Sequence, residues 1–168
     1  MNSLTSAVAA VITDPAGRVL LHQHNSGHRQ WGLPGGKMHL DESPLHAVVR
    51  DLREEIGADV TMESVVGLYQ LHSDGGDLPD LLVYVFRGSV DCEVTVNTPG
   101  RIRHLSWRDP SALPANVTAT ARRAIADAVA GRAGVVCVVH RDAEPEIPDA
   151  TELPTQGATE ALAEALLG

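Results

Sequence analysis

The sequence predicts an α/β domain of the α+β type, in which a mixed β-sheet and helices form separate layers. Several short runs of strand type occur along the chain, and two segments, 44–56 and 116–130, have the apolar spacing of a helix. The strands lie around the helices instead of alternating with them, which favours mixed layers over a regular parallel βαβ series. A length of 168 residues with 43% apolar residues is enough for one domain with its own core.

The N-terminal part predicts a β-hairpin followed by a rigid loop. Residues 5–13 are rich in Val and Ala and reach the turn sequence DPAG, after which VLLHQ at 19–23 forms the second strand. The sequence WGLPGG at 31–36 combines Gly and Pro, which is typical of a rigid loop.

The segment 44–56 is predicted to be a helix with both ends marked. Ser43 is suited to the N-cap, Pro44 to the first helical position and Gly57 to the position after the last turn. The apolar residues at helical spacing, which are expected to face the core, are Leu45, Val48, Val49, Leu52 and Ile56.

The rest of the chain predicts further strands, a second helix and a C-terminal extension. The strand candidates are 60–72, 81–88, 92–96, 102–107 and 134–140. In the second helix, 116–130, the residues expected to face the core are Ala121, Ile125, Ala128 and Val129. Residues 1–133 are expected to form the main domain. Residues 134–168 are expected to form an extension of one strand, an acidic linker punctuated by Pro, and a short Ala/Leu helix at 158–167.

The charge and the N-terminus restrict the partners. The formal net charge is −9, and sequence-independent binding of nucleic acid requires clustered Lys and Arg, so a nucleic-acid partner is not expected. The N-terminus has no basic segment, and its apolar run is too short to span a bilayer. The sequence therefore predicts a cytoplasmic protein without a membrane partner, whose binding of phosphates depends on local Arg or Lys, backbone amides or a cation.

The segment RDLREEIG at 50–57 concentrates negative charge on the first helix. Its spacing places Asp51, Glu54 and Glu55 on one helical face. At ~6 Å and an effective dielectric of ~20, each pair repels by roughly 3 kcal/mol before screening. A bound cation would relieve this repulsion, whereas the simpler alternative is a solvated acidic helix face.

Seven residues at fixed spacing connect this helix to the preceding loop: Gly36, Glu42, Arg50, Leu52, Glu54, Glu55 and Gly57. With them, the segment GGKMHLDESPLHAVVRDLREEIGA resembles the box of the Nudix hydrolase family, and in particular of MutT-like members. The resemblance extends more loosely over residues 5–130, and the box departs from the family pattern at Asp51, where the family has Glu. It implies a mixed sheet sandwiched between helices, and hydrolysis of a nucleoside diphosphate linked to another group with Mg²⁺ or Mn²⁺.

The resemblance also implies site residues. The carboxylates of Glu54 and Glu55 and the carbonyl of Gly36 are the expected metal ligands, which agrees with the preference of Mg²⁺ for oxygen. Arg50 is expected to orient the glutamates through ion pairs. Arg50, Asp51 and Glu54 are the expected catalytic residues.

Glu42 and Gly57 are expected to have structural roles in the box, and the residue that acts as general base is not assigned. Glu42 is expected to hold the loop or to support the metal ligands, and Gly57 to end the helix. Asp51 is one methylene shorter than Glu, so its oxygens lie ~1.5 Å further back, and the general base stays open. The later segment NTPGRIRHLSW offers no carboxylate; His104 in it is either a base or, more in keeping with its position, a partly buried strand residue.

Five residues outside the box are further candidates. Asn116 is suited to reading a purine edge through its amide and equally to capping the second helix. Trp107 is either a stacking face for the substrate or, preferably, part of the core. The cluster His22, His24 and His28 is expected to face solvent or the substrate; zinc ligation is less favoured because a fourth ligand is not evident.

The substrate predicted by default is a MutT-like nucleoside triphosphate or a related small-molecule diphosphate. Two alternatives stay open: a catalytically weak Nudix-fold sensor that binds a nucleotide, and a hydrolase of another diphosphate, such as a prenyl diphosphate or a sugar nucleotide. The extension could pack on a partner subunit in a homodimer or could cap its own domain.

Overall fold

A computed structural model describes residues 4–27, 29–72 and 80–141, and it shows a mixed β-sheet with one helix on each face. Within these residues the elements are β1 Thr5–Thr13, β2 Val19–His24, β3 Trp31–Gly32, β4 Gly35–Lys37, α1 Pro44–Ile56, β5 Thr61–His72, β6 Leu81–Ser89, β7 Ile102–Arg108, α2 Ala119–Val129 and β8 Val135–His140. The predicted fold class, a mixed sheet with two helices, is confirmed. No helix among the described residues combines the length and apolar content needed to cross a bilayer.

The sheet has the strand order β3-β2-β1-β6-β5-β8, with β4 paired to β1 and β7 paired to β2. β1 runs parallel to β6 and antiparallel to β4, whereas its antiparallel pairing with β2 is recorded only at Thr13 and Val19. The predicted hairpin thus has its turn, but the two strands then separate. β4 occupies the space beside β1, where Gly35 pairs with Ala9 and Gly36 pairs with Val8.

The two faces of the sheet carry separate apolar clusters because side chains alternate along each strand. The α2-side cluster includes Ala7, Ala9, Val11, Leu21, Val66, Tyr69, Val83, Val85, Ala121 and Ile125. The α1-side cluster includes Val8, Ala10, Ile12, Leu20, Ala47, Val48, Leu52, Ile56 and Phe86. The alternation in β1 therefore sends successive residues to opposite helices.

The predicted first helix is confirmed at both ends. The hydroxyl of Ser43 accepts the N–H of His46 at 3.2 Å, and Gly57 has the left-handed conformation (φ 62°) that ends the helix. The predicted buried face needs one correction, since Leu45 is exposed. The buried stripe instead includes Asp51 and Glu55, beside Ala47, Val48, Leu52 and Ile56.

The second helix is shorter than predicted. Its N-cap is Thr118, whose hydroxyl accepts the N–H of Ala121 at 3.3 Å, so the alternative in which Asn116 caps the helix is wrong. Val129, at the last helical position, is exposed, which corrects its predicted core position.

The predicted strand at 92–96 is also wrong, because this segment bonds to the end of α1. The N–H of Thr95 donates to the carbonyl of Ile56 at 3.1 Å, and that of Asn97 donates to the carbonyl of Glu55 at 3.0 Å. The last carbonyls of a helix have no partner within the helix, and here the loop satisfies them.

The predicted strand at 134–140 is present as β8. It pairs in parallel with β5 and forms one edge of the sheet. The boundary of the extension at residue 134 stays a prediction, since β8 is hydrogen-bonded to the sheet of the main domain. The predicted linker and the predicted helix at 158–167 lie outside the described residues.

Candidate active site

An arginine on α1 binds the loop that precedes the helix. The carboxylate of Glu42 accepts hydrogen bonds from Nε of Arg50 at 2.8 Å and from Nη2 at 3.0 Å, and also from the N–H of His39 at 3.1 Å. Mainly through the Arg50 bonds, the pKa of Glu42 falls to about 2. Nη2 of Arg50 reaches the carbonyl of Lys37 at 3.3 Å as well. The predicted role of Glu42 in holding the loop is therefore supported by direct contacts, and Arg50 is the residue it binds.

Asp51 lies buried under this loop with one oxygen bonded and the other without a hydrogen bond. Oδ1 accepts from Nη1 of Arg50 at 2.6 Å, whereas Oδ2 is buried without a partner. A Cβ placed on Gly36 would lie 2.6 Å from that Oδ2, so only glycine permits this close approach. Burial raises the pKa of Asp51 to about 7, although the positive charge of Arg50 opposes the rise.

Glu55 is fully buried and is engaged by three groups of the protein. Its Oε2 accepts the N–H of Gly35 at 3.1 Å and lies 3.2 Å from Nδ1 of His22. Its Oε1 accepts from Nη2 of Arg101 at 2.7 Å. The sequence predicted a metal ligand here; in the structure this carboxylate connects the glycine loop, β2 and the start of β7.

Glu54 is the exposed carboxylate of the box. Its side chain is 52% exposed, and its Oε2 lies 3.8 Å from Nη1 of Arg50. Glu42 and Asp51 are thus closer partners of Arg50 than Glu54, the partner expected from helical spacing. The side chain of Glu54 is available to a ligand from solvent.

The loop between β6 and β7 supplies Arg101, a residue that the sequence did not assign to the site. The hydroxyl of Thr98 donates to the carbonyl of Glu54 at 2.6 Å, and the amide of Asn97 donates to the same carbonyl at 3.1 Å. With the loop held in this way, Arg101 reaches Glu55 and lies 3.5 Å from the carbonyl of Gly35. The sequence signal for Arg101 is a basic residue in the segment NTPGRIRHLSW, which contains no carboxylate.

The oxygen groups fit a hard divalent cation. The described residues contain no group of three or more His, Cys, Asp or Glu side chains arranged to hold a metal. Mg²⁺ does not require such a group, because it usually binds one or two carboxylates and keeps several waters. The unpartnered Oδ2 of Asp51, beside Gly36, is a buried oxygen of the kind that needs a cation, a proton or a donor, and Glu54 is the second oxygen donor nearby on the helix.

The histidines occupy other positions than expected. His22 and His24 are buried, with ring centroids 4.4 Å apart, because this face of β2 lies towards the end of α1. Burial lowers the pKa of His24 to about 4. The prediction that His22 and His24 face solvent is therefore wrong, and the alternative that they lie near the substrate stays a prediction. His104 lies in β7 but is exposed, which corrects the expected partial burial, and His28 lies outside the described residues.

Asn116 and Trp107 have different surroundings in the structure. Trp107 pairs with Leu20 and packs against the α1-side cluster, which is the core position favoured from the sequence. Asn116 is exposed beside Trp31: its carbonyl accepts the N–H of Trp31 at 2.9 Å, and Trp31 packs against the α2-side cluster.

Comparisons with known proteins agree with this architecture. The chain is 38% identical over 71 residues to a CTP pyrophosphohydrolase of Escherichia coli (40% of this chain, 53% of that protein). It is 32% identical over 104 residues to a MutT-like protein of Streptomyces ambofaciens (62% of this chain, 63% of that protein). The chain thus spans between half and two thirds of the length of these relatives.

A solved structure and a family model complete the comparison. The MutT Nudix hydrolase of Burkholderia pseudomallei superposes with a TM-score of 0.68 at 26% identity, covering 74% of this chain and 98% of that one. The model of the NUDIX domain matches residues 3–128, which include every box residue described above. The chain therefore belongs to the Nudix family.

Proposed function

We propose that this protein is a pyrophosphohydrolase that cleaves a phosphoric anhydride bond of a nucleoside diphosphate-X with the help of a divalent cation. Nudix hydrolases generally use such cations and bind nucleotide-type substrates. The arrangement around Asp51 carries the proposal: a buried carboxylate with one unpartnered oxygen lies against Gly36, next to the exposed Glu54.

The residues of the box have separate parts in this proposal. Glu54 and Asp51 would hold the cation, Mg²⁺ or Mn²⁺, together with the carbonyl of Gly36. When bound, the cation neutralises charge on the phosphates and lowers the pKa of a bound water. Arg50 keeps Asp51 in place and joins the loop to the helix through Glu42.

Glu55 has a positioning role in the proposal instead of the ligand role expected from the sequence. It is fully buried and accepts bonds from Gly35 and Arg101, so it fixes the loop that carries Gly36. Glu54, which is open to solvent, is the carboxylate that can orient an attacking water. Asp51 is buried beside Gly36 and is therefore less accessible to an attacking water.

The substrate proposed first is a MutT-like nucleoside triphosphate. The E. coli relative is named for CTP, so CTP belongs in the panel of substrates with purine nucleoside triphosphates. Asn116 is exposed and its amide lies 3.4 Å from the carbonyl of Arg29, so it could turn to a base edge at small cost. Trp107 stays a weaker candidate because it packs with the core.

The test is phosphate and pyrophosphate release from nucleotides with Mg²⁺, with Mn²⁺ and with a chelator. We expect turnover that needs the cation and that falls by about 10²-fold or more in Glu54→Gln. Glu63→Gln is the matched control, since Glu63 is an exposed glutamate of β5 outside the box. Equal turnover with the chelator, or an undiminished rate in Glu54→Gln, contradicts the proposal.

A second candidate function is a nucleotide-binding module with weak turnover, and the contacts of Glu55 favour it. Its two oxygens accept from Arg101 and Gly35, so one of the two carboxylates expected to bind metal is occupied by the protein. The same panel separates the two functions when binding is measured by calorimetry. Nucleotide binding without turnover in either cation would support the binding module and contradict the hydrolase.

A further inference from the structure

The edge of the sheet formed by β5 and β8 has an apolar surface on the α1 side. Val136 and Val138 of β8 are 78% and 53% exposed, and Val65 of β5 is 46% exposed. Leu68 pairs with Val136 and therefore points to the same face. We call these four residues, Val65, Leu68, Val136 and Val138, the apolar stripe.

The opposite face of the same two strands is covered. Val135, Cys137 and Val139 alternate with the exposed valines and pack against the α2-side cluster. A strand that is apolar on both faces is typical of a sheet buried on both sides. Among the described residues, α1 packs mainly on β1 and β4.

The occupant that the sequence offers for the stripe is the Ala/Leu-rich region 158–167 of the same chain. The chain leaves the sheet at the end of β8, the strand that carries Val136 and Val138. Residues 142–157 connect it to this region and can span up to about 50 Å when extended, which is enough to return along either face. The tether also gives the segment an effective concentration on the order of millimolar, an advantage that a second molecule lacks.

The sequence of 158–167 supplies a matching apolar face. At helical spacing, Leu162, Ala165 and Leu166 fall on one side, whereas Glu160 and Glu164 fall on the other. A helix of this length is marginally stable by itself in water, so its order would depend on packing. We propose that residues 158–167 form a short helix that docks its leucine face on the apolar stripe of its own chain and completes the α1-side layer.

Hydrogen exchange of the full chain, read by mass spectrometry at residues 158–167, tests this docking. We expect wild-type amides there to exchange at least roughly tenfold more slowly than those of an unstructured peptide of the same sequence. Val138→Asp on the stripe and Leu162→Asp on the segment should each remove this protection. Because Val138 is half exposed and Leu162 lies in the segment itself, neither change alters the buried core.

Two matched controls replace apolar residues that the docking does not use. Leu40→Asp changes a residue that is 95% exposed and outside the stripe, and Leu167→Asp changes the leucine on the glutamate side of the segment. Both controls should keep the protection. Exchange at peptide rates in the wild type overturns the proposal, and so does equal loss of protection in the controls.

Light scattering at several concentrations separates docking within one chain from docking between two. The proposal predicts the mass of a monomer and protection that does not change on dilution. A dimer whose protection at 158–167 is lost on dilution would mean that a second copy covers the stripe, and would contradict docking within the chain.

Discussion

Each helix carries one buried aspartate, and the two aspartates differ in the number of hydrogen bonds that they accept. Asp127 on α2 accepts from the hydroxyl of Tyr69 at 3.0 Å, from Nε of Arg123 at 2.9 Å and from Nη1 of Arg132 at 2.7 Å. Asp51 on α1 accepts one bond, from Arg50, and its Oδ2 has none.

The pKa values of the two groups follow this difference. Burial raises the pKa of both, but at Asp127 the hydrogen bonds from Arg123, Arg132 and Tyr69 hold it below the ordinary value. At Asp51 burial prevails and the pKa rises to about 7. The comparison shows that the number of hydrogen-bond donors, and not burial alone, decides the role of a buried carboxylate. With enough donors it stabilises the fold, and with too few it stays available to a ligand.

Replacing the two aspartates should give the largest contrast in stability. Asp127→Ala removes three hydrogen bonds to a charged group and leaves the hydroxyl of Tyr69 buried without a partner. We expect a loss of roughly 3 kcal/mol in the free energy of unfolding. At neutral pH, Asp51→Asn should not lower this free energy and is expected to raise it, because it removes a buried charge that is poorly paired. Urea unfolding of both variants measures the difference, and equal losses of unfolding free energy would contradict the different roles of the two aspartates.

The pair of Glu55 and Arg101 should have an intermediate effect. Arg101→Met leaves the buried Glu55 with Gly35 and His22 as partners. We expect a loss of roughly 2 kcal/mol in the free energy of unfolding, which is less than for an ion pair in which both side chains are buried. In the double variant Arg101→Met/Glu55→Gln part of this loss should return, because no uncompensated charge is left. A double-mutant cycle of unfolding free energies checks this, and strict additivity would contradict the coupling.

Stability should depend on pH with opposite signs at the two aspartates. The folded pKa of Asp127 lies below its unfolded value of 3.8. Its contribution to the free energy of unfolding is therefore present above about pH 4 and is lost as the pH falls through the folded pKa. The folded pKa of Asp51 is about 7, above its unfolded value of 3.8. Its contribution is present below about pH 4 and is lost as the pH rises towards 7.

Unfolding free energies between about pH 3 and about pH 8, without divalent cations, measure both effects. Asp127→Asn should flatten the rise in stability at the acidic end, and Asp51→Asn should flatten the decline towards neutral pH. Addition of Mg²⁺ should reduce the decline in the wild type if Asp51 binds the cation. A wild-type profile that Asp51→Asn leaves unchanged would contradict the environment described for Asp51.

The smallest expected effect concerns the loop that caps α1. Thr98→Val removes the hydroxyl that donates to the carbonyl of Glu54 at 2.6 Å, and we expect a loss of about 1 kcal/mol in the free energy of unfolding. Thr95→Val is a matched control, since Thr95 bonds to Ile56 through its backbone N–H. Activity should fall in Thr98→Val more than in the control, because the loop also delivers Arg101.

Local signals explain what could be predicted around the site. The N-cap, the first-turn Pro and the final Gly of α1 act within a few residues, so the helix was predicted with its correct ends. The prediction of a strand at 92–96 was wrong because this segment hydrogen-bonds to the C-terminal end of α1, a contact that no local sequence pattern indicates. The partners of Glu55 were missed for the same reason, since Arg101 is 46 positions further along the chain.

The sequence by itself determined the mixed fold class, the helix that carries Asp51, Glu54 and Glu55, and the family, because these depend on spacing within one segment. Only the tertiary structure decided which of these carboxylates is exposed, which is neutralised by Arg101, and which keeps an unpartnered oxygen. It also packed Trp107 against the α1-side cluster and left Asn116 exposed beside Trp31. The physical reason is that burial and pairing depend on which strands and loops pack over the helix, and those contacts join residues far apart in the chain.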